Sequence, residues 1–573
     1  MKRLALIMVS LFVIFGVVLT SCTPAVEVTE EADVEETVED MAETAEATEE
    51  DVEETTEEVE VDESGPKKGG TFILGWVASP DHFFSNITSE NTIHIFTDLM
   101  FPALLAYDAE KNMEPMTTEL AESYTFVDNK VLTFTLREAY WSDGEPITST
   151  DVKFTIENFT ATQSAFGAQF LKHLESVETP DEQTVVITLS EEFPMLPYFW
   201  HWHYCVIIPE HVWRDYVENY QECPEYTNPT VFGGAWMLDE FVSGSHATYS
   251  PNPDYWKENQ PYLDKLIIRV IPDESTMVSA LEAGEIDLII PQGLSYTEAA
   301  RLAADERFTV VESGKEIRST IYYTFFNMGA EYVSDENVRR ALIMAIDQDK
   351  LIADIFTGYG KPLETLMPEG PMYDAYRITP ENVYPYNVEA AEALLDEAGY
   401  LAGSDGMRGI TLTYVAENST KNVKLGESIK SFWNEVGVEL EVITLESAAY
   451  KERVFTNMDF SCAPVDAGVA SDFSIEARFY HSNRIGEIYG NAWQLVNERV
   501  DYIFDNVAKS SEEDKVEMYA ELQEIIAETA IGIFLQNKAP YVYSNDFGGL
   551  PARPDAQFTS WDFVYWENGD PIE

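Results

Sequence analysis

A chain of 573 residues with 103 Asp and Glu against 35 Lys and Arg carries a formal charge of −68, which excludes nucleic acid as a partner, because phosphate contacts need clustered Lys and Arg. Its four cysteines form no CxxC, and no His/Cys group has zinc spacing, so the sequence offers no metal site. About 500 residues of folded sequence exceed one core, and two or three closely linked domains are expected.

At the N-terminus, Lys2 and Arg3 precede an uncharged apolar run over residues 4–18. That run is short for a membrane span of roughly 20 residues and has the size of an export signal. It continues into Leu19-Thr20-Ser21-Cys22, which resembles the bacterial lipobox; the alternatives are an ordinary signal peptide with a chance cysteine and an uncleaved anchor. On the lipobox reading residues 1–21 are removed. Cys22 then carries the lipid that tethers the protein to the outer face of the cytoplasmic membrane or in the periplasm. Residues 27–63 hold 20 Asp or Glu with no Lys, Arg or aromatic residue. Like charges repel there and no core can form, so 22–65 is expected to be a disordered acidic spacer.

Pro66-Lys-Lys-Gly-Gly70 opens the folded sequence. Residues 71–76 predict a first strand that ends at Trp76, and 91–99 a helix. Alternation predicts strands over 124–127 and 130–136, with Leu132, Phe134 and Leu136 on one face, then a turn at Asp143-Gly144 and a helix from Thr150-Asp151. A second strand pair is expected at 174–179 and 184–189. Residues 265–271 and 286–290 read as strands flanking a helix that Gly284 stops. The second half repeats this alternation, with a strand over 319–326, helical sequence from Asp335 to Phe356, and a helix over 388–398 capped by Asn387. A strand over 410–415, a helix over 425–436, a strand over 438–443, a helix over 516–526 and a late strand over 532–536 follow. Single strands alternating with helices predict an α/β architecture. No repeat of fixed period is present.

Five blocks then resemble, in order, family 5 of the extracellular solute-binding proteins, the peptide, nickel and oligosaccharide receptors of ABC importers. They are Leu132-Thr-Phe-Thr-Leu-Arg137 with Trp141-Ser-Asp-Gly-Glu-Pro-Ile-Thr148 and Asp151-Val-Lys-Phe154; Gly233-Gly-Ala-Trp236 with Pro251-Asn-Pro-Asp-Tyr-Trp256; Ala283-Gly-Glu-Ile-Asp287; Asn327 with Asp335 through Asp347; and Ala391 through Tyr400. Most of these residues read as structural, and Arg339 and Arg340 as partners of surface acids. The resemblance implies a two-lobed periplasmic-binding-protein-like fold of type II with an extra subdomain on lobe one. Lobe one is then 66–112, 231–320 and 535–573, the subdomain 113–230, and lobe two 321–534. It also implies a monomer that closes over a small ligand and passes it to an ABC permease, without cofactor or catalysis.

The ligand class stays open between peptide and oligosaccharide. Peptide-binding members resemble one another in a lobe-two aspartate, after a tryptophan, that pairs with the peptide amine. Here the stretch from Phe460 to Phe473 lacks the tryptophan, and either Asp466 or Asp472 takes the position. Among Trp76, Trp200, Trp202, Trp236, Trp433, Trp493 and Trp561, only Trp76 is expected in the cleft, as a stacking face for a sugar ring. A secreted lipoprotein hydrolase is the rival class. Ser243-Gly-Ser-His246 has no nucleophile elbow, however, and His201-Trp-His203 is a lone imidazole pair. Cys205 and Cys223 close a loop in an oxidising compartment, or else both remain buried thiols with Cys462.

Overall fold

Alternation sets the first strand: Phe72, Leu74 and Trp76 are buried on one face of β1 (Thr71–Trp76) and pack into the main core of the first lobe. The computed structural model describes residues 66–567, apart from 89, 109–113, 165–166, 195, 202–203, 313–318, 371–372, 382, 470–472, 538–539 and 551–560. Cys22, the signal segment and the acidic tract lie outside the described residues, as do Trp202, His203 and Asp472.

After β1 comes a short pair, β2 (Ala106–Asp108) and β3 (Glu114–Met116). A four-stranded antiparallel sheet follows, made of β4 (Ala121–Val127), β5 (Val131–Leu136), β6 (Leu174–Glu178) and β7 (Thr184–Leu189) in the order β4-β5-β7-β6. Leu132, Phe134 and Leu136 share their buried face with Val185, Ile187 and Leu189. The helix Ser149–Thr155 begins with a capping box in which Thr148 and Asp151 satisfy each other's backbone donors. Asp151 also accepts from Glu210 N at 2.8 Å, which ties this motif to a segment 59 residues away.

The chain then adds β8 (Trp236–Val242), β9 (His246–Pro251), β10 (Lys265–Val270), β11 (Leu288–Ile289) and β12 (Phe308–Glu312) to β1. At Gly234, just before β8, a Cβ would lie 2.6 Å from the Leu99 carbonyl oxygen, and both Gly233 N and Gly234 N donate to Met100 O. Glycine is required there by this close backbone approach.

The second large sheet consists of β13 (Ser319–Phe326), β14 (Gly360–Leu363), β15 (Ile410–Glu417), β16 (Val438–Leu445), β17 (Cys462–Val469) and β18 (Gly532–Asn537), ordered β14-β18-β13-β17-β15-β16. β19 (Pro540–Ser544) then returns to the first sheet, whose order is β12-β19-β11-β1-β10-β9-β8. Ile321, Tyr323 and Phe325 enter one core of this second body, and Tyr322 and Phe326 the other. Both faces of β13 are therefore buried, which is why aromatic and aliphatic residues occupy alternate and consecutive positions from Ile321 to Phe326. The result is a two-lobed α/β fold.

The helical sequence expected from Asp335 to Phe356 is two helices, Glu336–Met344 and Gln348–Phe356, because Asp347 caps a fresh N-terminus by accepting from Lys350 N. Two expectations are corrected. Arg340 does pair with a surface acid, Glu336, but among the described residues Arg339 pairs with none: it is buried and donates to the carbonyls of Thr529, Val333 and Ser334. Cys205 and Cys223 form no disulfide. Both are buried free thiols, as is Cys462, and the Cys205 sulfur sits 3.7 Å from Thr160 Oγ1.

Candidate functional site

Strand direction locates the cleft. β19 starts where the chain returns from the second sheet, and its Pro540 pairs with Glu312 at the carboxyl end of β12. β11 also runs antiparallel to β19, while β1 runs parallel to β11 and β10. The carboxyl ends of β1, β10, β11 and β12 therefore share the edge that adjoins the second lobe. In that lobe Ser319 pairs with Val469 and Thr320 with Asn537, so the start of β13 and the ends of β17 and β18 share the edge adjoining the first. β15 runs parallel to both β16 and β17, which adds Glu417 and Leu445 to that edge. Two sets of strand carboxyl ends thus face one gap, the position where open α/β sheets bind ligands. β12 precedes β13 and β18 precedes β19 in the chain, so the backbone passes from the first sheet to the second and back.

Among the described residues, side chains meet across the gap. Tyr296, at the start of the helix after β11, sets its ring edge-on to Phe356 at 5.4 Å and stacks on Tyr359 at 6.3 Å. On the subdomain side, Lys509 Nζ lies 3.0 Å from Glu191 Oε2.

Asp466 stands on β17 opposite Tyr322 of β13, with its carboxylate exposed. Lys421 donates to Asp466 Oδ2 at 2.5 Å, and its ammonium lies 4.4 Å from the centroid of the Tyr322 ring. Lys421 occupies the first turn of the helix Thr420–Glu435, which Ser419 caps by accepting from Asn422 N. Tyr322 is buried and its hydroxyl donates to Asn422 Oδ1, so the ring is held from both ends. Burial, and after it the Asp466 carboxylate, pushes the Tyr322 phenol well above its ordinary value, so it stays a neutral donor.

The other residues singled out from sequence fall elsewhere. Trp76 does end β1 at the cleft edge, but its indole is enclosed by the core and donates to Thr92 Oγ1 at 3.2 Å. Trp200, Trp236, Trp433, Trp493 and Trp561 are also buried. Ser245 and His246 sit on the exposed hairpin between β8 and β9, where Ser245 Oγ is 2.9 Å from His246 Nδ1. His201 is buried, and among the described residues no group of three His, Cys, Asp or Glu is placed to hold a metal. Lys421, Tyr322 and Tyr296 escaped the sequence reading. Lys421 lies in 416–424, between an expected strand and an expected helix, and a cation at such a strand-to-helix switch was the available signal.

Residues 116–486 match the model of the bacterial extracellular solute-binding proteins, family 5, middle region. An ABC transporter peptide-binding protein of Brucella ovis is 31% identical over 396 residues, covering 67% of this chain and 71% of that protein. The oligopeptide-binding protein AppA of Bacillus subtilis is 24% identical over 504 residues, covering 85% of this chain and 88% of that protein. Its structure with a nonapeptide superposes at a TM-score of 0.67 with 19% identity, over 88% of this chain and 100% of that one. A peptide-binding protein AppA of Clostridium difficile superposes at 0.73 with 21% identity, over 87% and 100%. With the family match spanning well over half its length and the fold agreeing, this chain belongs to the bacterial extracellular solute-binding proteins of family 5.

Proposed function

We propose that this protein is the substrate-binding lipoprotein of an ABC importer, which captures a peptide by its free amino terminus between the two lobes and delivers it to the permease. The observation that carries the ligand class is the Asp466 carboxylate, exposed beside the carboxyl ends of the lobe-two strands with an aromatic ring next to it. A charge-assisted bond from a peptide ammonium to such a carboxylate contributes roughly 1.5–3 kcal/mol. The names of the Brucella and Bacillus relatives support the same class. For the alternative ligand, an oligosaccharide, the stacking face suggested by the sequence was Trp76, which is buried.

Binding here is closure, not chemistry. A ligand that touches both lobes favours the closed form by the difference between its affinities for the closed and open states. Lipidation at Cys22, with the acidic tract as spacer, holds this domain at the outer face of the cytoplasmic membrane near its permease; among the described residues no helix is long and apolar enough to cross a membrane.

The test is titration with tri-alanine and with its N-acetyl analogue. The wild type should bind the free amine and discriminate against the blocked one. Asp466→Asn should lose at least about tenfold for the free amine, roughly 1.4 kcal/mol. Equal binding of both peptides would end the amine reading. Cys22→Ala should abolish the acyl mass and membrane retention, and a mutant still retained by membranes would end the anchor reading.

A further inference from the structure

We infer that Lys421 is a resident stand-in for the ligand's ammonium group: it fills a cation site built from the Asp466 carboxylate and the Tyr322 ring, and a ligand amine enters by displacing it. This rests on the amine-binding reading above for the identity of the ligand, but the cation site itself is a matter of local geometry. A carboxylate at 2.5 Å and an aromatic face at 4.4 Å from one ammonium nitrogen are the two groups that recognise a primary amine.

The three parts differ in freedom. Tyr322 is buried, in register within the central strand and tied through its hydroxyl to Asn422. Asp466 is fixed by its pairing with the same strand. Lys421 alone hangs on a long rotatable stem, with its side chain 29% exposed, so it can swing away while the site keeps its shape. A cation built in for stability looks different here. Arg408 is 3% exposed and donates to the carbonyl oxygens of Val436 and Tyr400 as well as to Asp396. Lys421 has no such carbonyl anchorage among the described residues.

Lys421 therefore sets specificity in a defined way. A neutral or N-blocked ligand cannot replace the ammonium, whereas a free primary amine can, and it competes against a weak, solvent-screened internal partner. An uncompensated carboxylate would also never be left in the empty cleft.

The experiment compares wild type, Lys421→Ala and the double variant Lys421→Ala/Asp466→Asn, with three probes measured by calorimetry. Removing the competitor should tighten tri-alanine binding by about tenfold, the sum expected of an exposed ion pair and a cation–π contact. N-acetyl-tri-alanine should not gain, and the double variant should lose the gain. Butylammonium, which copies the lysine side chain, should bind Lys421→Ala saturably and bind neither of the other two proteins. Unchanged or weaker tri-alanine binding by Lys421→Ala would overturn the inference. If no variant binds tri-alanine, the peptide reading falls. The butylammonium arm then decides the cation site alone: saturable binding that needs Asp466 sustains it, and its absence overturns it.

Discussion

Lys257 Nζ lies 2.7 Å from Glu119 Oε1, and the same ammonium is 2.8 Å from Asp562 Oδ2, so one cation joins two carboxylates drawn from opposite ends of the lobe-one sequence. Both carboxylates are fully enclosed, and Tyr255 adds a hydrogen bond to Asp562 at 3.0 Å. Burial works against the Lys257 ammonium, but Asp562 and Glu119 outweigh it and raise its pKa.

Removing that cation leaves two adjacent buried negative charges. Lys257→Met should therefore destabilise the protein by about 3–5 kcal/mol, read as a lower urea midpoint. Because the lysine pKa is raised on folding, its contribution is complete below the ordinary lysine value and is lost only as pH rises through the elevated one. The gap between wild type and variant should accordingly hold from pH 6 to 9. A midpoint shift near zero would show that the triad adds nothing.

Asp287 makes a prediction in a lower pH window. It accepts from Ile73 N at 2.7 Å, linking the approach to β11 with β1. Burial pushes its carboxyl up to about 7, the Ile73 amide pulls it back, and Asp546 adds to the rise. Between the ordinary aspartate value and about 7 the folded state holds a proton that the unfolded chain has released, so stability falls as pH rises through that window. The slope from this group is on the order of 1.4 kcal/mol per pH unit. Asp287→Asn keeps an acceptor for Ile73 and removes the titration. Its melting temperature should gain on wild type as pH goes from 5 to 8. Parallel curves would rule the assignment out, and comparing two variants cancels the shared response of so acidic a chain.

How much of this was legible in the sequence follows the range of the interactions. β5 and β7 showed themselves through alternation, and the helix after Asn387 through its cap and Gly399, because those signals lie within a few residues. The Asp347 cap that divides the helices was equally local but was hidden inside a continuous periodic stretch. Arg339 was misread because its partners include a carbonyl 190 residues further on, and a charged residue gives no local sign of burial. The Lys421–Asp466 pair spans 45 residues and Tyr322 lies another 99 before Lys421, so only the order of β13, β17 and β15 in the sheet brings them together. Trp76 stands at the expected strand end, but it has the parity of Phe72 and Leu74 and so faces the core.

The three buried thiols predict chemical silence. Burial pushes the Cys205 thiol up to about 12 and raises Cys223 and Cys462 as well, so the nucleophilic thiolate is scarce in all three. Native protein should resist a thiol-reactive dye, and denatured protein should label at Cys205, Cys223 and Cys462 without prior reductant. A mass gain of two hydrogens on reduction would mean that Cys205 and Cys223 are joined after all.

The Glu191–Lys509 pair predicts a salt-sensitive cleft. It spans from the end of β7 to lobe two, with both side chains about half exposed, and His173 approaches the same carboxylate at 3.6 Å. Burial, then Lys172, lowers the His173 pKa, so Lys509 is the working cation at neutral pH. Lys509→Ala should open the lobes at 20 mM salt, seen as a larger radius of gyration by small-angle X-ray scattering. At 0.5 M salt, where the screening length is about 4 Å, wild type and variant should coincide. In so acidic a protein, loss of any lysine adds repulsion, so a single variant cannot separate pairing from net charge. The exchange Glu191→Lys/Lys509→Glu keeps the net charge and restores the pair with its polarity reversed. It should return the radius to the wild-type value at low salt. If the exchange stays as open as Lys509→Ala, the contact is incidental and lobe closure does not depend on it.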